Sequence, residues 1–209
     1  MLKDYLTETY GYNEPIFINE ISLKNVTDNA LRQSFKRMIK SGDIMRFDTG
    51  IYYLPKASRL LKNSYLDPLK VIVRKYVQNG SDIFGYLSGA AFANQLGLTT
   101  QLPAVIEIVT NKEATKGRTA TIGNQKIRLK RTVLPVTKEN AALLQFLDMV
   151  SQLEKYSELS LAESKQTLLA YARSKKFSRS QLGAVTPSLT GMTAKKLIDW
   201  GIIYEFTSE

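Results

Sequence analysis

The sequence feature that most constrains the fold is an amphipathic basic segment followed by two short apolar runs, at residues 27–55. Thr27 and Asp28 are residue types that cap helix N-termini. Gly42 is typical of the position just after a helix C-terminus. Between these signals, apolar residues recur at helical spacing and predict one core-facing stripe: Leu31, Phe35, Met38 and Ile39.

The opposite face of this predicted helix is cationic and rich in amides. Its members share long polar side chains and point away from the apolar stripe: Asn29, Arg32, Gln33, Lys36, Arg37 and Lys40. Lysine and arginine contact backbone phosphates, and arginine, asparagine and glutamine also bind base edges. The face therefore predicts contact with duplex DNA.

The residues around this helix extend the prediction to a whole small domain. Residues 44–47 and 51–54 are strand-like runs separated by a three-residue turn, and Pro55 ends the second. Residues 1–10 and 15–23 each fit a short helix. Three helices followed by a hairpin form a winged helix-turn-helix, in which Arg46 and Thr49 would lie on the wing. The alternative is an ordinary solvated basic helix face.

The remaining chain predicts a mixed α/β domain, so the whole protein is expected to be α+β. A polar, irregular segment between Lys56 and Asp67 predicts a boundary that gives domains 1–56 and 57–209. Caps and apolar periodicity predict helices at 67–80, 88–96, 141–153, 160–172, 178–184 and 186–201. Strands are predicted at 104–110, 119–122, 126–131 and 202–204.

Composition excludes several kinds of chemistry. The 209-residue chain has no cysteine and no histidine, which removes disulfides, thiol catalysis and the usual general base and metal ligand. A metal-dependent nuclease would need Asp82 or Glu107 with Lys112, but Lys112 lies five positions after Glu107 and no second strand acid is evident. We therefore expect no enzyme activity, no metal and no cofactor. No apolar run or leader-like N-terminus points to a membrane, so the expected location is the cytoplasm.

Positive charge is concentrated in the middle of the chain. The net charge is +10, and residues 57–135 hold 12 Lys and Arg against 4 Asp and Glu. Within that segment Lys126, Arg128 and Lys130 alternate with Ile127 and Leu129, so one face of a predicted strand is basic. Such a face binds a polyanion or an acidic protein, or it is an exposed sheet face whose lysines protect an edge.

Three stretches resemble the antitoxin of the abortive-infection AbiE (type IV) toxin–antitoxin family, and the related AbiEi-like transcriptional regulators of viral defence. They are RFDTGIYYLP at 46–55, GYLSGAAFANQLGLTTQLPAVIEIVT at 85–110, and TPSLTGMTAKKLIDWG at 186–201. The likeness extends over most of the chain in the order of its elements. The motifs that carry it are loosely specified.

The resemblance implies a repressor that binds inverted repeats in its own promoter and neutralises a nucleotidyltransferase-like toxin, with or without a stable complex. On that pattern the residues that contact DNA are Arg32, Gln33, Lys36, Arg37, Lys40 and the wing residue Arg46. The second function would fall to the basic strand residues Lys126, Arg128, Lys130 and Arg131. The alternative is a stand-alone winged-helix regulator whose second domain senses a ligand or dimerises.

Overall fold

Helices and short sheets alternate along the chain, which has an α+β fold. The computed structural model describes residues 2–56 and 64–207. Contacts divide the chain into two units, Met1–Arg74 with Ile122–Asn124 and Lys75–Thr121 with Gln125–Glu209. Most of the predicted linker lies outside the described residues, and the boundary between domains 1–56 and 57–209 stays a prediction.

The first unit is a small sheet with helices packed on it. Its elements are α1 (Leu2–Tyr10), β1 (Ile16–Phe17), α2 (Asp28–Lys40), β2 (Met45–Asp48) and β3 (Ile51–Tyr53). The sheet has the order β1-β3-β2, and both pairings are antiparallel. Its core lies between the helices and the sheet, and its buried residues are Leu6, Ile16, Ile21, Leu31, Phe35, Ile44 and Leu54.

Two predictions for the first unit were wrong. Residues 15–23 do not form a helix, because Ile16 and Phe17 pair with β3 and only a single 3-10 turn follows, at Ile18–Glu20. Ile39 was expected in the core but is 38% exposed. The strict i, i+4, i+7 line of Leu31, Phe35 and Met38 already fills the inward face of α2, which leaves Ile39 at its edge.

Arg74 fixes the first unit's 3-10 turn. It belongs to α3 (Pro68–Tyr76), and its guanidinium lies 5.4 Å from the ring centroid of Tyr10 and 5.8 Å from that of Phe17. Its Nη2 donates to Glu20 at 2.8 Å. This combination of ring contacts and a charge-assisted hydrogen bond stabilises a partly buried cation.

Helix α3 ends earlier than predicted. The helix stops at Tyr76, because the next residues form a hairpin of β4 (Gln78–Asn79) and β5 (Asp82–Ile83). Gly80, expected to end the helix, lies in the turn of that hairpin with φ +59°. The start is as predicted, since Asp67 accepts a hydrogen bond from the backbone N–H of Leu69 at 2.9 Å.

A four-stranded sheet and the helices against it build the second unit. The strands are β6 (Gly85–Ser88), β7 (Val105–Thr110), β8 (Arg118–Ile122) and β9 (Gln125–Arg131), in the order β6-β7-β9-β8. Strands β6 and β7 run antiparallel, whereas β7 and β9 run parallel. The predicted strands at 104–110, 119–122 and 126–131 are thus confirmed, and β6 was not foreseen.

The predicted helices of the second unit are present, and only the last of them begins well after its predicted start. They are α4 (Gly89–Gln95), α5 (Ala141–Tyr156), α6 (Leu161–Lys175), α7 (Arg179–Val185) and α8 (Gly191–Asp199). Helix α5 is the centre of the core and buries eight of its residues. Ser160 and Ser178 each form a complete capping box, with Glu163 and Gln181 respectively.

The C-terminal prediction needs two corrections. Thr186 and Pro187 begin a 3-10 turn, and α8 starts after it, with Thr190 as its N-cap. Residues 202–204 form part of another 3-10 turn and not a strand, since Gly201 reverses the chain with φ +72°. Trp200 closes α8, half-buried, with the ammonium groups of Lys165 and Lys196 5.6 and 5.3 Å from its ring centroid.

Throughout the part of the chain that the structure describes, each helix is too short or too polar to cross a bilayer.

Candidate nucleic-acid interface

Helix α2 is held so that its basic face points to solvent. Thr27 caps the helix by accepting a hydrogen bond from the backbone N–H of Ala30 at 3.3 Å. Leu31 and Phe35 are buried, and Phe35 packs edge-on against Tyr52 with ring centroids 4.9 Å apart. Because the apolar stripe is anchored in the sheet, the opposite face has only one orientation available.

The six residues predicted to bind DNA on α2 share that exposed face. All of them are exposed: Asn29, Arg32, Gln33, Lys36, Arg37 and Lys40. Within the described residues, none of the four cations forms an ion pair. No carboxylate of residues 2–56 and 64–207 pairs with them, which leaves their charge available to a phosphate.

The hairpin brings the two predicted wing residues together. The Nη2 of Arg46 donates to the hydroxyl of Thr49 at 3.1 Å, and its Nε donates to the backbone oxygen of Asp48 at 3.3 Å. A register shift between Arg46 and Asp48 bends the strand at this point, and Gly50 completes the turn with φ +74°. Arg46 is exposed and its guanidinium is oriented by the turn.

The predicted basic face of β9 is partly neutralised. Lys130 Nζ lies 2.8 Å and Arg128 Nη1 3.7 Å from the carboxylate of Glu107 on the neighbouring strand. Burial raises the pKa of Glu107, but hydrogen bonds from Lys130 and Tyr156 outweigh it and lower the pKa below its ordinary value. Lys126 and Arg131 are exposed and form no ion pair within the described residues.

The structure separates the residues of the nuclease alternative. The Lys112 Nζ donates to the backbone oxygen of Lys75 at 3.0 Å and lies 3.8 Å from the ring centroid of Phe84. Glu107 instead faces Lys130 and Tyr156. Across residues 2–56 and 64–207, no group of three His, Cys, Asp or Glu side chains is placed to hold a metal ion.

A polar cluster beside the second unit's sheet was missed from the sequence. Ser88 Oγ and Gln152 Nε2 donate to the two carboxylate oxygens of Asp148, at 2.6 and 2.7 Å. Burial raises the pKa of Asp148. Together with Tyr86, Asp148 lines a cavity of about 260 Å³. One signal was available, since Asp148 is a carboxylate within the apolar run of helix α5.

Comparison with known proteins identifies a family whose function is unknown. No curated protein matches the chain. The model of DUF6088, a family of unknown function, matches residues 13–169. That match spans the first unit from β1 onward and the second unit through most of α6. Since it covers well over half of the sequence, the chain belongs to the DUF6088 family of unknown function.

Proposed function

We propose that the chain is a DNA-binding regulator whose first unit is a winged helix-turn-helix, with α2 as recognition helix and the β2–β3 hairpin as wing. The observation that carries this proposal is the outer face of α2, where four exposed cations that form no ion pair within the described residues lie among exposed amides. Phosphate contacts need such cations, and base reading needs such donors.

The order of elements in the first unit supports the same proposal. A helix, a short strand, the basic helix and a hairpin follow one another, and β1 pairs with β3 of the hairpin. The 3-10 turn at Ile18–Glu20 would stand where a helix-turn-helix has its first helix. Arg46, held by Thr49 and Asp48, would contact a phosphate beside the groove that α2 enters.

We further propose that this regulator is the antitoxin of a phage-defence pair. It would repress its own operon through promoter inverted repeats in the cytoplasm and neutralise a nucleotidyltransferase-like toxin. The support is the resemblance of residues 46–55, 85–110 and 186–201 to AbiE antitoxins. The second unit would supply antitoxicity, and its exposed basic residues Lys126 and Arg131 would be the first to test.

The test is a separation of the two functions in the full chain. A triple variant, Lys36→Ala with Arg37→Ala and Lys40→Ala, should lose repression of a promoter reporter and still rescue cells from the toxin. Its DNA affinity should depend less steeply on salt, by about three units of the log–log slope, because three phosphate contacts are lost.

A matched control removes the same charge elsewhere. Lys138, Arg179 and Lys195 are exposed cations of the second unit, and their triple alanine variant should repress as the wild type does. DNA binding by α2 is disproved if the α2 variant shifts promoter DNA with unchanged affinity. The antitoxin proposal is disproved if the folded wild-type chain does not rescue growth.

A stand-alone regulator with a ligand-sensing second domain is the second candidate. The cavity beside Asp148 favours it, because a concave site with a few polar groups is typical of small-molecule binding. Gene neighbourhood separates the two candidates. A nucleotidyltransferase-like gene beside this one supports the antitoxin, and its absence together with failed rescue supports the regulator.

A further inference from the structure

The cavity of the second unit has an apolar floor and a charged wall. It lies among β6, β7, β9, α5 and the start of α8. Its apolar lining includes Val109, Leu144, Leu147 and Leu189. A volume of about 260 Å³ is at the small end of ligand sites, which suits a compact molecule with an apolar body.

Groups of opposite charge share this wall. Lys130 and Arg131 line it from β9, and Asp148 lines it from α5. Each carboxylate oxygen of Asp148 accepts one hydrogen bond from the protein, which leaves further lone pairs for a ligand donor. The side chain of Lys130 is 31% exposed, and its ammonium donates one hydrogen bond, to Glu107, with two more hydrogens available.

Tyr86 adds a hydroxyl without a protein partner. The residue is only 9% exposed and lines the cavity, and its hydroxyl makes no hydrogen bond within the described residues. Burial, and then the nearby Asp148 carboxylate, raises the pKa of this phenol, which is a hydrogen-bond donor at neutral pH. The hydroxyl oxygen is accessible to solvent, and it can donate a hydrogen bond to a ligand acceptor.

The N-terminal turn of α8 completes the wall. Thr190, the N-cap, and Thr193 line the cavity with hydroxyls 2.9 Å apart. The start of a helix carries partial positive charge, so this turn adds to the field of Lys130 and Arg131. Lys130, Arg131 and the start of α8 can thus bind an anionic group of a ligand. Asp148 can bind a cationic group beside it.

We infer that this cavity binds a small zwitterion with an apolar side chain, an α-amino acid in chemical class. Its carboxylate would bind Lys130, Arg131 and Tyr86. Its ammonium would bind Asp148, and its side chain would pack on the leucines of α5. This inference concerns the second unit alone and does not depend on DNA binding.

The first test uses the wild-type full chain and four probes. L-phenylalanine and L-leucine carry both charges, 3-phenylpropanoate lacks the ammonium, and phenethylamine lacks the carboxylate. Calorimetry should show L-phenylalanine binding about tenfold or more tighter than either singly charged analogue, since each analogue lacks one of the two sets of charge-assisted hydrogen bonds. Equal affinities for the three phenyl probes, or no binding of either amino acid, overturn the inference.

Two variants assign the poles of the site. Asp148→Asn keeps the shape of the side chain. It should weaken the binding of L-phenylalanine about tenfold and leave the affinity for 3-phenylpropanoate unchanged. Lys130→Met should weaken the binding of 3-phenylpropanoate and leave the affinity for phenethylamine unchanged. The assignment is contradicted if a variant with the melting temperature of the wild type loses affinity for all probes equally. If a variant does not fold, the wild-type probe series still decides.

Discussion

At the residue scale, one acid of the second unit is held almost entirely by local hydrogen bonds. Glu113 is 4% exposed and accepts from the hydroxyl and backbone N–H of Thr115, at 2.5 and 3.0 Å. Arg118 Nε donates to its other oxygen at 2.8 Å. The Thr115 hydroxyl and backbone N–H, and then Arg118, lower the pKa of Glu113 from 4.5 to about 2.

Glu113 should make the second unit less stable in acid. Its pKa is lowered on folding, so its contribution is fully present above pH 4.5 and is lost as the pH falls towards about 2. Glu113→Gln should therefore lower the melting temperature at pH 7, and the difference from wild type should shrink at pH 3. The measurement is thermal unfolding across this pH range. A difference that is independent of pH would contradict the assignment.

Gly89 occupies a position that only glycine fits. Its φ is +60°, and a Cβ there would stand 2.7 Å from a carboxylate oxygen of Glu107. We expect Gly89→Ala to lower the free energy of unfolding by about 1–3 kcal/mol, from backbone strain and displacement of that carboxylate. Denaturant titration is the measurement.

Gly191 supplies the matched control for Gly89. It begins α8, and a Cβ there would meet nothing within 4 Å. Gly191→Ala should be neutral or slightly stabilising, because alanine is the better helix former. Similar losses in the two variants would mean that the position of Glu107 is not what makes Gly89 necessary.

At the scale of elements, the sequence predicted those features that residues close together in the chain determine. Helix α2 has its cap, its apolar stripe and its end signal within 16 residues, and its bounds agree with the prediction. Strand β1 was missed because two residues carry no periodicity and the strand exists only through pairing with β3. The exposed face of α2 followed from the helix alone.

The sites formed by distant residues were beyond sequence patterns. The ion pairs that neutralise Arg128 and Lys130 depend on the parallel register between β7 and β9. The hydrogen bond between Ser88 and Asp148 joins residues 60 positions apart. Periodicity places each side chain on a face, but it does not say which faces meet.

Capping of its N-terminus should contribute measurably to the stability of α6. The Ser160 hydroxyl accepts from the backbone N–H of Glu163 at 3.3 Å, and the backbone N–H of Ser160 donates to the Glu163 carboxylate at 3.0 Å. Ser160→Ala should therefore lower the free energy of unfolding by about 1 kcal/mol. Ser174→Ala, in the last turn of the same helix, removes an exposed hydroxyl that caps no N–H and should cost less. Equal losses would mean that the capping box contributes nothing specific.

At the scale of the whole molecule, the net charge of +10 overstates the free positive surface. Strand β9 shows why, because two of its cations face Glu107 and two do not. A polyanion responds to the charge that remains after such pairing. The cationic face of α2 and the exposed ends of β9 are therefore the surfaces where that attraction should be strongest.

Two double variants of β9 should separate formal charge from available charge. Lys126→Ala with Arg131→Ala and Arg128→Ala with Lys130→Ala remove the same formal charge. The first pair should reduce the salt concentration needed to elute the protein from heparin by more, since its members have no ion-pair partner in the part of the chain that the structure describes. Circular dichroism controls for folding. The reverse order would show that Glu107 does not screen its neighbours.

The position of Trp200 makes the second unit optically distinct. It is the only tryptophan of the chain, and it ends α8 between two lysine ammonium groups. Indole emission depends on the polarity and charge around the ring, so its wavelength should report on α8 without any added label. The first unit contains only tyrosine and phenylalanine chromophores. Selective excitation of the indole can therefore follow unfolding of one unit while tyrosine emission follows both.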